Sequence, residues 1–143
     1  MRVHIILKAK GNDVATIAPD ASVAEAVAAL ADWGIGALLV TSGDGVPAGI
    51  LSERDVVRAL ALEGKGTLDR KVRDLMTAEL KTCGPDDEIG AIMATMTKHR
   101  IRHLPVLEDG KLAGVVSIGD VVKYRLQEIE FEADSMRQMI AGS

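Results

Sequence analysis

Aromatic residues make up only 2% of this 143-residue chain, and it also lacks long apolar runs, a second cysteine and any excess of basic charge. Each absence removes a class of function. One Trp, one Tyr and one Phe leave almost nothing for bases to stack on, and a net charge of −4 lacks the basic footprint that grips phosphates along a nucleic acid. No long nucleic acid is an expected partner. The longest apolar stretches, such as Ile35 to Val40 interrupted by Gly36, fall far short of the ~20 residues that span a bilayer, so no membrane crossing is expected. The opening residues, Met1 to Lys8, have neither the apolar core nor the small-residue cleavage site of a secretory signal, which points to the cytoplasm. The single Cys83 can close no internal disulfide and build no thiolate metal site, and its plainest role is that of a small buried apolar residue. A nucleophile elbow, a Walker loop, a dinucleotide glycine fingerprint and a metal-spaced histidine pair are also missing, since a helix is expected to end between His99 and His103. No catalytic residue, no metal and no required cofactor are expected.

What is present is a repeat. Thr16-Ile17-Ala18-Pro19-Asp20 returns as Thr82-Cys83-Gly84-Pro85-Asp86, an offset of 66 residues, and Val23, Ala26, Val27 and Leu30 return as Ile89, Ile92, Met93 and Met96. Ile35 to Val40 matches Ile101 to Val106. After one deletion near Gly43 the offset becomes 65, so that Ala48-Gly49-Ile50-Leu51-Ser52 matches Ala113-Gly114-Val115-Val116-Ser117, and Asp55-Val56-Val57 matches Asp120-Val121-Val122. The apolar set Val23, Ala26, Val27, Leu30 has the spacing of one helical face, and Ser22 with Glu25 makes a capping box, which predicts a helix over Val23 to Trp33. Two short apolar runs around Ser42-Gly43-Asp44-Gly45, and again around Glu108-Asp109-Gly110-Lys111, predict hairpins. Each unit therefore reads strand, helix, two strands, helix. A unit of ~60 residues buries too little alone, so the copies are expected to pack together about a pseudo-twofold axis.

Chemistry concentrates where the third strand of each unit runs into a helix, at Ser52-Glu53-Arg54-Asp55 and Ser117-Ile118-Gly119-Asp120. One reading is purely structural: Ser as N-cap with an acidic residue three later caps a helix and suits its dipole. The other uses the same geometry, with free N–H groups and a hydroxyl facing an anion while the carboxylate accepts two hydrogen bonds from a ribose diol. The copies differ in charge. Lys98-His99-Arg100-Ile101-Arg102-His103 is the densest basic cluster, against Asp32-Trp33-Gly34-Ile35-Gly36-Ala37 in the first copy. Its cations could simply complement a helix end, but planar Arg groups suit bidentate phosphate contacts. Arg54 offers a guanidinium to the other site, and Gly34 and Gly36 leave room for a base. Trp33 reads as core or interface.

The series Thr-x-x-Pro-Asp, then Arg102-His103-Leu104-Pro105-Val106, then Gly114-Val115-Val116-Ser117-x-x-Asp120 resembles the CBS motif, and two in tandem resemble the CBS-pair or Bateman module over about Val14 to Arg125. The resemblance implies an α/β fold of two β-α-β-β-α motifs, a disc-forming regulatory module, and clefts for AMP, ADP, ATP or another adenosyl ligand such as NAD or S-adenosylmethionine. It places phosphate and ribose contacts on Ser52 and Asp55 in one cleft and on Ser117 and Asp120 in the other. Thr16, Ile17 and Ala18, with Ala37, and Thr82, Cys83 and Gly84 would frame the adenine, with Arg54, Arg100, Arg102 and His103 supplying the basic contacts. Leu39 stands where the second copy has Pro105, so unequal sites are expected. A nucleotide-independent interaction scaffold is the alternative.

The expected divisions are an extension over 1–12, motifs over 13–63 and 79–126 joined by a connector over 64–78, and a helical tail over 127–143. Val122, Leu126, Ile129, Ala133, Met136 and Ile140 form a narrow seam along that tail. Its plainest role is to cap the chain's own core, but a stripe reaching about 20 residues past the motif is expected also to pack on a second copy; a homodimer signalling to an effector protein is expected.

Overall fold

The computed structural model describes residues 1–11 and 13–142, so the boundary expected at residue 12 and the tail's last residue, 143, lie outside the described residues. In chain order the elements are α1 (Val3–Lys10), β1 (Thr16–Ile17), α2 (Val23–Trp33), β2 (Ala37–Thr41), β3 (Pro47–Ser52), α3 (Glu53–Glu63), a 3-10 turn (Gly64–Asp69), α4 (Val72–Leu75), α5 (Ile89–His99), β4 (His103–Glu108), β5 (Lys111–Ser117) and α6 (Ile118–Ala141). Two compact units form, neither contiguous in sequence. The first-motif unit holds Asp13–Lys81 and Glu108–Ala113, and the second-motif unit holds Met1–Asn12, Thr82–Leu107 and Gly114–Ser143.

In the first-motif unit, α2 spans the predicted residues because Ser22 Oγ accepts the Glu25 amide (3.1 Å) at its start and Gly34 ends it in the left-handed conformation (φ 64°, ψ 39°). The predicted hairpin is β2–β3, and β1 adds in parallel to β2, giving the order β1-β2-β3. Val23, Ala26 and Leu30 from α2 bury against Leu38, Val40, Leu51, Val56 and Val72. Ala37 and Leu39 are also buried but lie outside that cluster, as alternation along a strand requires. Trp33 is 57% exposed, so it is not part of the core. The connector is ordered by its packing rather than by propensity. A four-residue helix cannot hold itself, yet Val72 is fully buried, Thr67 Oγ1 donates to the Ala59 carbonyl (3.1 Å), and Thr77 exchanges two backbone bonds with Ile50 (2.9 and 3.0 Å).

Strands β4 and β5 lie mostly in the second-motif unit, and the turn that joins them, Asp109-Gly110, has positive φ at both residues (54° and 77°), as a two-residue type I′ turn needs. Ile89, Ile92 and Met96 of α5 are buried, as are Leu104, Val106, Val116 and Val121. Helix α1 also belongs here, with Val3, Ile6 and Leu7 buried.

Comparison of the backbone bonds shows what α1 is. The Val72 amide donates to the Ala21 carbonyl (2.9 Å), Arg73 to Pro19 (3.0 Å) and Val23 to Arg70 (2.8 Å); Val3 donates to Asp87 (3.0 Å), His4 to Pro85 (2.9 Å) and Ile89 to Met1 (3.0 Å). The antiparallel bridges Ser22–Lys71 and Arg2–Glu88 correspond as well. Helix α1 is thus the repeat of α4 at an offset of 69, Val3 matching Val72, and each motif is completed by the helix that precedes the other. The same match explains two glycines. A Cβ on Gly114 would stand 2.5 Å from Leu7 Cδ2, and one on Gly49 would stand 2.8 Å from Met76 Sδ and the Thr77 carbonyl oxygen.

Helix α6 runs as one piece past the motif, as the apolar spacing predicts. Its seam does not cap this chain's own core: Val122, Leu126, Ile129 and Met136 are exposed, Leu126 by 54%, and the buried residue of α6 is Val121. No helix among the described residues is long and apolar enough to cross a membrane.

Candidate functional site

Both strand-to-helix turns form full capping boxes. At the start of α3, the Ser52 amide and hydroxyl both donate to Asp55 Oδ2 (3.0 Å each), and the Asp55 amide donates to Ser52 Oγ (3.2 Å). At the start of α6, the Ser117 amide donates to Asp120 Oδ2 (3.0 Å) and the Asp120 amide to Ser117 Oγ (3.1 Å). The structural reading of these residues is therefore correct as far as it goes. It leaves Oδ1 of each carboxylate with no hydrogen bond among the described residues, at a helix end whose N–H dipole favours an anion.

The strands bring the other candidates to these turns in the same way twice. Ala37 is the register partner of Ser52, and the Glu53 amide donates to the Gly36 carbonyl (2.9 Å). In the second-motif unit the Ile118 amide donates to the Arg102 carbonyl (2.8 Å), so Arg102 and His103 lie beside the opening turn of α6. The segments expected to frame a base meet the middle strand further along. Thr16 pairs with Leu39 and Ile17 with Val40, while Cys83 bridges Val106. Thr16, Ala18 and Thr82 are exposed, Ile17 and Gly84 are half-buried and Cys83 is buried. Burial, then the nearby Asp87 carboxylate, pushes the Cys83 thiol up to about 12, so it stays neutral.

The basic residues separate into two groups. Arg54 is exposed on the first turn of α3, whereas Arg100 ends α5 in a left-handed conformation (φ 54°, ψ 43°) that Gly34 supplies in the other copy. Arg54, Arg100 and Arg102 are exposed and form no ion pair among the described residues, so their charge is available to a ligand.

Sequence reasoning missed two residues. Asp87 Oδ2 accepts the Gly84 amide (2.8 Å) and fixes the Thr82–Gly84 turn. Lys10, at the end of α1, donates to Asp120 Oδ2 (2.7 Å) and to the Val115 carbonyl (3.1 Å). Burial pushes the Asp120 carboxyl up, but hydrogen bonds from Lys10 and from Ser117 outweigh it and hold the group below the ordinary carboxylate range. The helical spacing of Val3, Ile6 and Leu7 signals α1, but nothing local signals where Lys10 ends.

The family model for the CBS domain matches the chain twice, over residues 10–62 and 72–127. A mitochondrial CBS domain-containing protein of Arabidopsis thaliana is 37% identical over 127 residues, covering 86% of this chain and 62% of that protein. The chain spans about two thirds or less of the first curated relatives it matches. The crystal structure of a CBS-domain containing protein from Agrobacterium tumefaciens is 45% identical, with a TM-score of 0.84, over 87% of this chain and 99% of that one. The CBS domain pair of protein MJ0100, solved with 5′-methylthioadenosine and S-adenosyl-L-methionine, shares the fold at 23% identity and a TM-score of 0.78, covering 90% of this chain and 98% of that one. Such pairs are in general regulatory modules. Two matched motifs, each ending in the same Ser–Asp turn at a helix start, make this chain a member of the CBS-domain family, as a tandem pair.

Proposed function

We propose that this chain is a non-catalytic sensor that binds an adenine nucleotide, AMP, ADP, ATP or a related adenosyl ligand such as NAD, and passes its occupancy to an effector protein in the cytoplasm. The observation that carries this reading is the convergence at the start of α6. The Gly119 amide, the Ser117 hydroxyl and an Asp120 oxygen, at the positive end of the α6 dipole, lie beside Arg102, which has no ion pair among the described residues. An anion with an attached diol answers all of these groups at once. The adenosyl ligands held by the MJ0100 pair support the class of ligand. Ser52 and Asp55 would serve the first motif, with Thr16 to Ala18, Ala37 and Arg54 around the ligand. Ser117 and Asp120 would serve the second, with Thr82 to Gly84, Arg100, Arg102 and His103. The reading calls on no further cofactor and no metal.

Calorimetric titration with AMP, ATP, NAD and S-adenosylmethionine tests the proposal and ranks the ligands. Unequal clefts should give two affinities or one occupied site. Absence of heat and of thermal stabilisation with all four would leave the scaffold reading in its place. The exposed seam of α6 supports a homodimer through that helix under either reading.

A further inference from the structure

The two capping boxes hold equivalent carboxylates, but their second occupants differ in kind. Asp55 Oδ2 accepts from the Ser52 amide and from the Ser52 hydroxyl. Asp120 Oδ2 accepts from the Ser117 amide and from the ammonium of Lys10. A carboxylate oxygen offers two lone pairs, so a diol that grips both oxygens must claim one already in use on Oδ2. At Asp55 the hydroxyl can rotate aside and donate elsewhere, at little cost. At Asp120 the competitor is a full charge, anchored a second time on the Val115 carbonyl and carried by a helix whose Leu7 is seated on Gly114. Residue 79, the repeat position of Lys10 in the connector, is Glu, so the first motif has no counterpart of this cation.

We propose that Lys10 is a resident competitor for the Asp120 carboxylate: a nucleotide entering the second-motif site displaces its ammonium, whereas the Asp55 site fills without such an exchange. This rests on the nucleotide reading above and adds to it the residue that sets the two sites apart. Lys10 is 41% exposed and Asp120 27%, so the pair is weak enough to be displaced and strong enough to be felt, with a release effect of about two- to fivefold in affinity. The sign is diagnostic. Removing a cation ordinarily weakens the binding of an anion, whereas here removal strengthens it, most clearly for a ligand that brings ribose without phosphate.

The test is calorimetric titration of the full chain with adenosine and with AMP, in an Asp55→Ala background that isolates the second-motif site. Lys10→Met should tighten adenosine about two- to fivefold and AMP by less, while Lys10→Arg stays near the parent. Lys10→Gln repeats the measurement without the added apolar side chain. Binding seen only after Lys10 is replaced would also uphold the competitor. Unchanged or weaker adenosine binding in Lys10→Met and Lys10→Gln, in a protein whose binding is still lost with Asp120→Ala, would overturn the competitor and leave the nucleotide reading standing. No binding to wild type or to either Lys10 variant would overturn both.

Discussion

Arg100→Gly should make the protein more stable and a worse nucleotide binder. Arg100 is one of two non-glycine residues with positive φ among the described residues, and the bonds around it repeat those around Gly34: the Ile101 amide donates to the Met96 carbonyl (3.0 Å) as the Ile35 amide does to the Leu30 carbonyl (3.1 Å). The same helix stop is thus made once with glycine and once with a side chain that the conformation penalises. The left-handed region costs an L-residue about 1–2 kcal/mol, and a glycine returns about 0.5–1 kcal/mol of that through the freedom it adds to the unfolded chain. Arg100 is exposed and has no ion pair to lose among the described residues, so the net gain is about 0.5–1 kcal/mol, or about 2–4 °C in a thermal melt without ligand. Strain kept at such a position points to use. If the guanidinium contacts phosphate, ATP affinity at that site should fall about 10- to 100-fold, and saturating ATP should reverse the order of the two melting temperatures. A ligand-free variant that melts no higher than wild type refutes the conformational argument. A variant that melts higher and binds ATP unchanged shows that the strain serves no phosphate.

Four further outcomes are expected. Asp120→Ala should weaken nucleotide binding at its site by about 10- to 100-fold, and a 2′-deoxy nucleotide should bind wild type worse than the ribonucleotide but Asp120→Ala no worse; wild-type indifference to the 2′-hydroxyl would leave Asp120 a cap. Because the folded pKa of Asp120 lies below its unfolded value, its contribution is present above pH ~4 and lost as the pH falls through the folded value, so urea unfolding of Asp120→Asn should depend less on pH below ~4 than that of wild type. Cys83, with its thiol pushed up to about 12 and its side chain buried, should resist iodoacetamide at pH 8 until the protein unfolds; rapid labelling of the native protein by mass spectrometry would contradict the burial. Light scattering should report twice the chain mass, and truncation after Leu126 should weaken association, since it removes the exposed Ile129 and Met136; undiminished dimerisation would take the tail out of the interface.

The elements that were legible in sequence are those whose signals are local. The spacing of Val23, Ala26 and Leu30, Ser22 before them, Asp109-Gly110 between two strands, and Ser117 three residues before Asp120 each specify their own conformation through bonds to near neighbours. What was not legible depends on residues far apart. The connector reads as a linker because Val72 and Thr67 show no periodicity, and their order comes from Val23, Ala21 and Ala59. Gly49 and Gly114 read as repeat-conserving matches, yet the chain that excludes a side chain there is Met76-Thr77 in one case and Leu7 in the other. Lys10 was invisible as a site residue for the same reason, since its helix is anchored by backbone bonds to Pro85 and Asp87.

The exchange of α1 and α4 between motifs gives the chain a timetable. Helix α4 leaves the ribosome directly behind the motif it completes, whereas Lys10 waits 110 residues for Asp120, roughly 5–20 s at ordinary rates of synthesis. During that interval Val3, Ile6 and Leu7 have no seat of their own, and the first motif already displays the surface that their look-alike, Val72, is built to fill. Apolar fit alone would not tell the two helices apart. Charge does not separate them either: Arg73 pairs α4 with Asp20 and Lys10 pairs α1 with Asp120, but the repeat supplies both carboxylates to both motifs, as Asp86 and Asp55, so an α1 seated on the first motif is the misfolded form to which this layout exposes the chain.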